Sequence, residues 1–140
     1  ISDTLVPWDI GKAKLINEGD PKIIVLNFGA LIDQAKDVSN SLGLTLIDMR
    51  FVKPLDEGIL KKYLSKAEWF ISIEDGSIMG GAGSAVQEFC SKEKINIKSM
   101  LFGIPDKFIE HASRDEMLED AGLSSNKIKS KLKKLLKPHL

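Results

Sequence analysis

The stretch Trp69-Phe70-Ile71-Ser72-Ile73-Glu74-Asp75-Gly76-Ser77-Ile78-Met79-Gly80-Gly81-Ala82-Gly83-Ser84-Ala85-Val86-Gln87 carries the most demanding backbone in the chain. Trp69 to Ile73 is aromatic and β-branched and reads as a buried strand, with Glu74-Asp75-Gly76 as the turn that closes it. Gly80, Gly81 and Gly83 follow within a few positions. Glycines cluster in this way where the backbone takes positive φ, or where a helix end approaches a neighbour closely. From Ala82 onward, Ala85, Val86, Phe89 and Cys90 recur at helical spacing. A strand, a glycine turn and a helix form the central unit.

Such a unit invites comparison with a dinucleotide loop, which needs Gly-x-Gly-x-x-Gly straight after the strand and an acid about 20 residues on. Gly81-Ala82-Gly83 lacks the third glycine, because Val86 stands in its place, and the next strand candidate, Asn96 to Phe102, holds no acid. The glycines therefore read as close packing of backbone, either within the chain or against a partner.

Outward from this unit the same alternation repeats. Lys22 to Phe28 is an apolar, β-branched run suited to a central strand covered on both faces, with Pro21 at its start. Leu31, Ala35, Val38 and Leu42 then fall at helical spacing and Gly43 stops the helix. Thr45 to Met49 reads as the parallel partner strand. After Pro54, Asp56 reads as the cap of a helix through Ile59, Leu60, Tyr63 and Leu64. Met117 and Leu118 lie in a short helix ended by Gly122, and Ser124 or Ser125 caps a last helix with Ile128, Leu132, Leu135 and Leu136 on its apolar stripe. Lys12 to Ile16 is a short strand; the five turn residues from Asn17 to Pro21 cannot make a parallel crossover, so it is expected to be antiparallel, with its neighbour left open. The expected architecture is a three-layer α/β/α sandwich around a mostly parallel sheet.

Composition narrows the function. In 140 residues, 20 lysines and arginines balance 20 aspartates and glutamates, which gives no field toward nucleic acid or membrane. No apolar run is long enough to span a bilayer, so a soluble protein is expected. The single cysteine, Cys90, lies on an apolar helix face and reads as a small core residue in a reducing, cytoplasmic setting. The two histidines, His111 and His139, have no companions at metal-ligand spacing, and no serine stands in a Gly-x-Ser-x-Gly elbow. Glu74 and Asp75 are adjacent in an extended chain and face opposite ways, so turn capping is preferred to acid–base work. An initial Ile1 suggests a piece of something longer, with residues 1–11, including Pro7-Trp8-Asp9, as an arm and 12–140 as the domain. The residues read as a binding or assembly domain with no active site of its own.

Three stretches now combine: Asp48-Met49-Arg50-Phe51-Val52-Lys53-Pro54-Leu55-Asp56, then Glu74 to Val86, then Gly103-Ile104-Pro105-Asp106-Lys107-Phe108-Ile109-Glu110-His111. In order and spacing they resemble the C-terminal domain of the 1-deoxy-D-xylulose-5-phosphate synthase family. Arg50, Pro54 and Asp56 alone would indicate only the wider transketolase group; Ile78 to Ser84 narrows the resemblance. Asp75-Gly76 and Ala112 depart from the Glu-Asn and Gly common in that family.

The resemblance implies an enzyme dependent on thiamine diphosphate and magnesium that joins a two-carbon unit from pyruvate to glyceraldehyde 3-phosphate and releases CO2. That reaction opens the methylerythritol phosphate route to isoprenoids, thiamine and pyridoxal. It also implies that the cofactor pocket lies in the preceding domains, that the enzyme is a homodimer, and that the present domain has a five-stranded mixed sheet whose first strand is antiparallel. No catalytic, cofactor-binding or metal-binding residue carries over. Arg50, Pro54, Asp56, Glu74, Gly80, Gly81, Gly83 and His111 remain as structural or interface candidates. The alternatives are a stand-alone nucleotide-binding or regulatory module and the C-terminal domain of another transketolase-like enzyme.

Overall fold

A computed structural model describes residues 9–77, 81–104 and 113–136. Its elements in chain order are β1 (Lys14–Asn17), β2 (Asp20–Phe28), α1 (Ile32–Leu42), β3 (Leu44–Asp48), α2 (Glu57–Leu64), β4 (Trp69–Ser77), α3 (Ala82–Lys92), β5 (Lys98–Ile104), α4 (Arg114–Asp120) and α5 (Ser125–Leu136). The five strands form one sheet in the order β1-β3-β2-β4-β5. β2 to β5 pair in parallel, and β1 pairs antiparallel with β3 at the edge.

β2 lies at the centre because its run is apolar on both faces. Ile23 and Val25 point to one side, where Ala35 and Val38 of α1 and Ile128, Leu132 and Leu136 of α5 cover them. Ile24, Leu26 and Phe28 point to the other, against Leu60 and Leu64 of α2 and Val86, Phe89 and Cys90 of α3. Period-two alternation thus creates two cores, and the chain is a three-layer α/β/α sandwich. Each Ile or Leu buried this way contributes roughly 1.5–3 kcal/mol before conformational entropy is set against it. Burial also pushes the Cys90 thiol pKa up, as expected of a core residue.

Local chemistry sets the joints. Gly43 ends α1 at φ +68°, a left-handed conformation that a side chain resists, and its N–H returns to the Ser39 carbonyl. Thr45 is 2 % exposed in β3; its hydroxyl donates to the Asp20 carbonyl at 3.1 Å and accepts the Gly19 N–H at 2.9 Å, which ties the β1–β2 turn to the sheet. Ser124, not Ser125, caps α5 through the Lys127 N–H at 3.3 Å. On α5, Lys129 meets Asp37 of α1 at 3.0 Å.

The expected elements shift in several places. β4 does not turn at Glu74 but continues to Ser77, because Glu74 still pairs with Phe28 and the register with β5 slips between Ile73 and Ser77, absorbing the extra backbone. β5 begins at Lys98 rather than Asn96, where Trp69 becomes available as its partner. β1 runs two residues later than its expected start, to face Asp48 from Lys14. Pro21 lies inside β2, in the stretch between Asp20 and Ile24 where the register with β3 slips, a place that tolerates its missing N–H. Leu135 is 38 % exposed while Leu136 is buried, so the α5 stripe is Ile128, Leu132 and Leu136. The arm residues 1–8, together with Gly80 and His111, lie outside the described residues.

Candidate functional site

The chain leaves β2 for α1 on one face of the sheet and leaves β4 for α3 on the other. The carboxyl ends of β2 and β4 therefore part around a crevice, the place where open α/β sheets hold ligands. Among the described residues, Asn27, Asp48, Glu74 and Asp75 stand at the carboxyl ends of β2, β3 and β4.

Glu74 is 5 % exposed and points toward α3, where its carboxylate accepts the Ala82 N–H at 2.9 Å and the Gly83 N–H at 3.5 Å. The first turn of α3 thus finds its anion inside the chain. This corrects the turn-capping expectation: Glu74 caps the next helix across eight residues. Asp75 faces the other way and accepts the Ala30 N–H at 3.3 Å, which places it beside an apolar cavity of about 390 Å³ lined by Leu31, Ile104, Met117 and Leu118. The two acids point apart and are held by backbone donors, so they make no acid–base pair.

Gly81 and Gly83 work differently from one another. Gly81 is the N-cap of α3 at φ −84°, which any residue adopts. At Gly83 a Cβ would stand 2.5 Å from Ser72 Oγ and 2.7 Å from Leu101 Cδ2, so α3 rests on β4 and β5 at this point without room for a methyl group. Close approach, within the chain, is what this glycine serves.

Asp56 is the N-cap of α2; its Oδ1 accepts the Ile59 N–H at 3.2 Å and its Oδ2 the Ala13 N–H at 2.9 Å. One carboxylate thus joins the approach to β1 with the start of α2. Pro54, exposed, lies against Gly11. Arg50, half-buried after β3, stands at φ +64°, which costs a non-glycine residue about 1–2 kcal/mol. These three residues group along the β3–α2 connection.

Asn27, not among the sequence candidates, is fully buried and donates from Nδ2 to the Gly29 carbonyl at 3.1 Å and to Asp48 Oδ1 at 3.4 Å. A lone amide within the apolar run from Ile23 to Phe28 was the available signal. Among the described residues no three acids, histidines or thiols come together as a metal site, and no helix is long and apolar enough to cross a membrane.

Residues 11–128 match the sequence profile described as "Transketolase, C-terminal domain". The chain belongs to that family. Among curated relatives, the 1-deoxy-D-xylulose-5-phosphate synthase of Xanthomonas oryzae pv. oryzae (strain PXO99A) is 42% identical over 93% of this chain. That of Stutzerimonas stutzeri (strain A1501) is 41% identical over 97%. The chain spans only 20% and 21% of those relatives' lengths, so it corresponds to one part of those longer proteins. A solved structure described as a split gene transketolase, an inactive beta4 tetramer, superposes with a TM-score of 0.84 at 25% identity, covering 94% of this chain and 44% of that one. These likenesses carry no support for the expected link to thiamine synthesis. Within this fold Glu74 holds the start of α3, Gly83 lets α3 rest on the sheet, and Asp56 joins the approach to β1 with α2.

Proposed function

We propose that this chain is the C-terminal domain of a 1-deoxy-D-xylulose-5-phosphate synthase, the thiamine diphosphate- and magnesium-dependent transferase that condenses pyruvate with glyceraldehyde 3-phosphate and releases CO2 for isoprenoid synthesis. Within that cytoplasmic homodimer its role is assembly: residues 1–11 form the arm from the preceding domains, and residues 12–140 pack against them. The observation that carries this reading is the 42% identity to the Xanthomonas synthase over 93% of the chain.

The cofactor does not fit the described residues of this domain. A diphosphate brought to the start of α3 would meet the carboxylate of Glu74 instead of free N–H groups, and no acid cluster stands ready for its cation. We assign its chemistry to the preceding domains of the parent enzyme. The same carboxylate disfavours the nucleotide-binding alternative, which would need that helix terminus for a phosphate. Arg50, Pro54, Asp56, Glu74, Gly80, Gly81, Gly83 and His111 are assigned structural or interface roles, with none catalytic.

The test is to titrate thiamine diphosphate and magnesium into the 140-residue chain by calorimetry and assay it with pyruvate and glyceraldehyde 3-phosphate. Neither heat of binding nor turnover is expected. Micromolar binding or product above blank would refute the assignment of this domain to assembly.

A further inference from the structure

β5 is the last strand on its side of the sheet, and among the described residues no strand pairs with its outer edge. Such an edge presents backbone N–H and C=O groups that a second extended chain can complete. Beside it lies a groove of about 590 Å³, walled by Leu101 to Gly103 of the strand, by Ala121 to Leu123 of the α4–α5 connection, and by Lys127, Lys131 and Lys134 of α5. Leu101 packs toward the α2–α3 core and Phe102 belongs to the α1–α5 core. Successive strand residues point to opposite faces, so a groove touched by both opens onto the backbone edge between them.

Charge describes the occupant further. Lys127, Lys131 and Lys134 recur at helical spacing and form one stripe along α5. On the opposite flank Lys129 is matched by Asp37, and on the groove side, among the described residues, only Lys127 has an acid, Glu119 at 3.6 Å. The Lys131 ammonium lies 5.7 Å from the centre of the Phe102 ring, and among the described residues no acid pairs with it or with Lys134. The groove thus joins an apolar wall, a strand edge that no other described strand pairs, and a cationic rim. A phosphate ester would find cations but little backbone cradle, since the Lys127 and Ile128 N–H groups are already bonded to Ser124.

We propose that this groove docks an acidic, extended protein segment, which adds as a further strand to β5 while its carboxylates meet Lys131 and Lys134. Strand pairing supplies affinity and the lysine rim selects an acidic sequence over a basic one.

The probe is a fluorescein-labelled hexapeptide of alternating glutamate and valine, titrated with the 140-residue chain by anisotropy. Saturable binding that weakens with salt is expected, together with a loss of about tenfold for the Lys131→Glu, Lys134→Glu double variant. A peptide N-methylated on alternate residues is expected not to bind, because it cannot complete the strand. Thermal unfolding of the double variant checks its fold; should that variant unfold, the single changes Lys131→Ala and Lys134→Ala carry the test, each with a smaller loss. No saturation by about 1 mM peptide, equal affinity for the N-methylated peptide, an undiminished affinity in the lysine variants, or displacement by tripolyphosphate alongside retained N-methyl binding would each overturn the proposal.

Discussion

The carboxylate of Glu74, near the end of the fourth strand, accepts the backbone N–H of Ala82 at 2.9 Å, so the helix that follows the glycine cluster begins on an acid from its own chain. This bond fixes where α3 sits on the sheet and closes its terminus to an external anion. Replacing Glu74 with Ala leaves two buried N–H groups without acceptors and is expected to lower unfolding stability by about 1–3 kcal/mol. Glu74→Gln, which keeps one acceptor oxygen, should lose less. Urea denaturation measures both, and equal midpoints for wild type and Glu74→Ala would dismiss the cap.

Gly83 rests over Ser72, whose buried hydroxyl has no hydrogen-bond partner among the described residues. Gly83→Ala is expected to destabilise by about 1–3 kcal/mol through overpacking against Ser72 and Leu101. Ser72→Ala removes an unpaired hydroxyl and should be close to neutral, and in the Gly83→Ala background it should restore part of the loss. A strictly additive double-mutant cycle would show that the two residues do not press on one another.

Much of this was legible in advance, for local reasons. β2 and β3 are short apolar runs bounded by turn residues, and α1 ends on Gly43, so neighbours in sequence were enough. Cys90 and the Ile128–Leu132 stripe likewise announced their burial through spacing alone. The missed features depend on residues far apart in the chain. Nothing near Lys14 says that it faces Asp48, and nothing near Glu74 says that its acceptors' partners lie eight and nine positions on, past three glycines. Local chemistry in Glu74-Asp75-Gly76 therefore points to a turn, where pairing with Phe28 keeps the chain extended. Asn27 escaped for a similar reason, since its partner Asp48 belongs to the adjacent strand.

Asp56 holds two amides at once, Ile59 at 3.2 Å and Ala13 at 2.9 Å. Asp56→Ala should cost about 1–2 kcal/mol from the lost cap, with a further loss from the freed Ala13 amide. Hydrogen exchange provides the check: both amides should exchange faster while amides in the centre of β2 keep their protection. Unaltered exchange at Ala13 would mean that the approach to β1 is fixed by something other than this carboxylate.

A hydrogen bond from the Ser125 hydroxyl, followed by the Lys129 ammonium, holds the Asp37 carboxyl below its ordinary 3.8. A lowered carboxylate stabilises the fold above its ordinary pKa, and the contribution is lost as pH falls through the lowered value. The link between α1 and α5 is therefore complete at neutral pH and fails only in acid. Asp37→Asn should flatten that part of the acid stability profile. Carbon-detected titration of the Asp37 carboxyl should give a midpoint below 3.8; one at or above it would contradict the linkage.

If, as proposed, this domain serves assembly of a synthase and brings no catalytic group, exchanging it into a relative should restore that relative. In the Xanthomonas oryzae synthase the matching 20% of the chain is replaced by this one, and CO2 release from pyruvate with glyceraldehyde 3-phosphate is compared with that of the intact and the truncated enzyme. The truncated enzyme is expected to fail to assemble and to be inactive, while the exchange restores both assembly and turnover. A truncated enzyme as active as the intact one, or an exchanged enzyme no better than the truncated one, would contradict it.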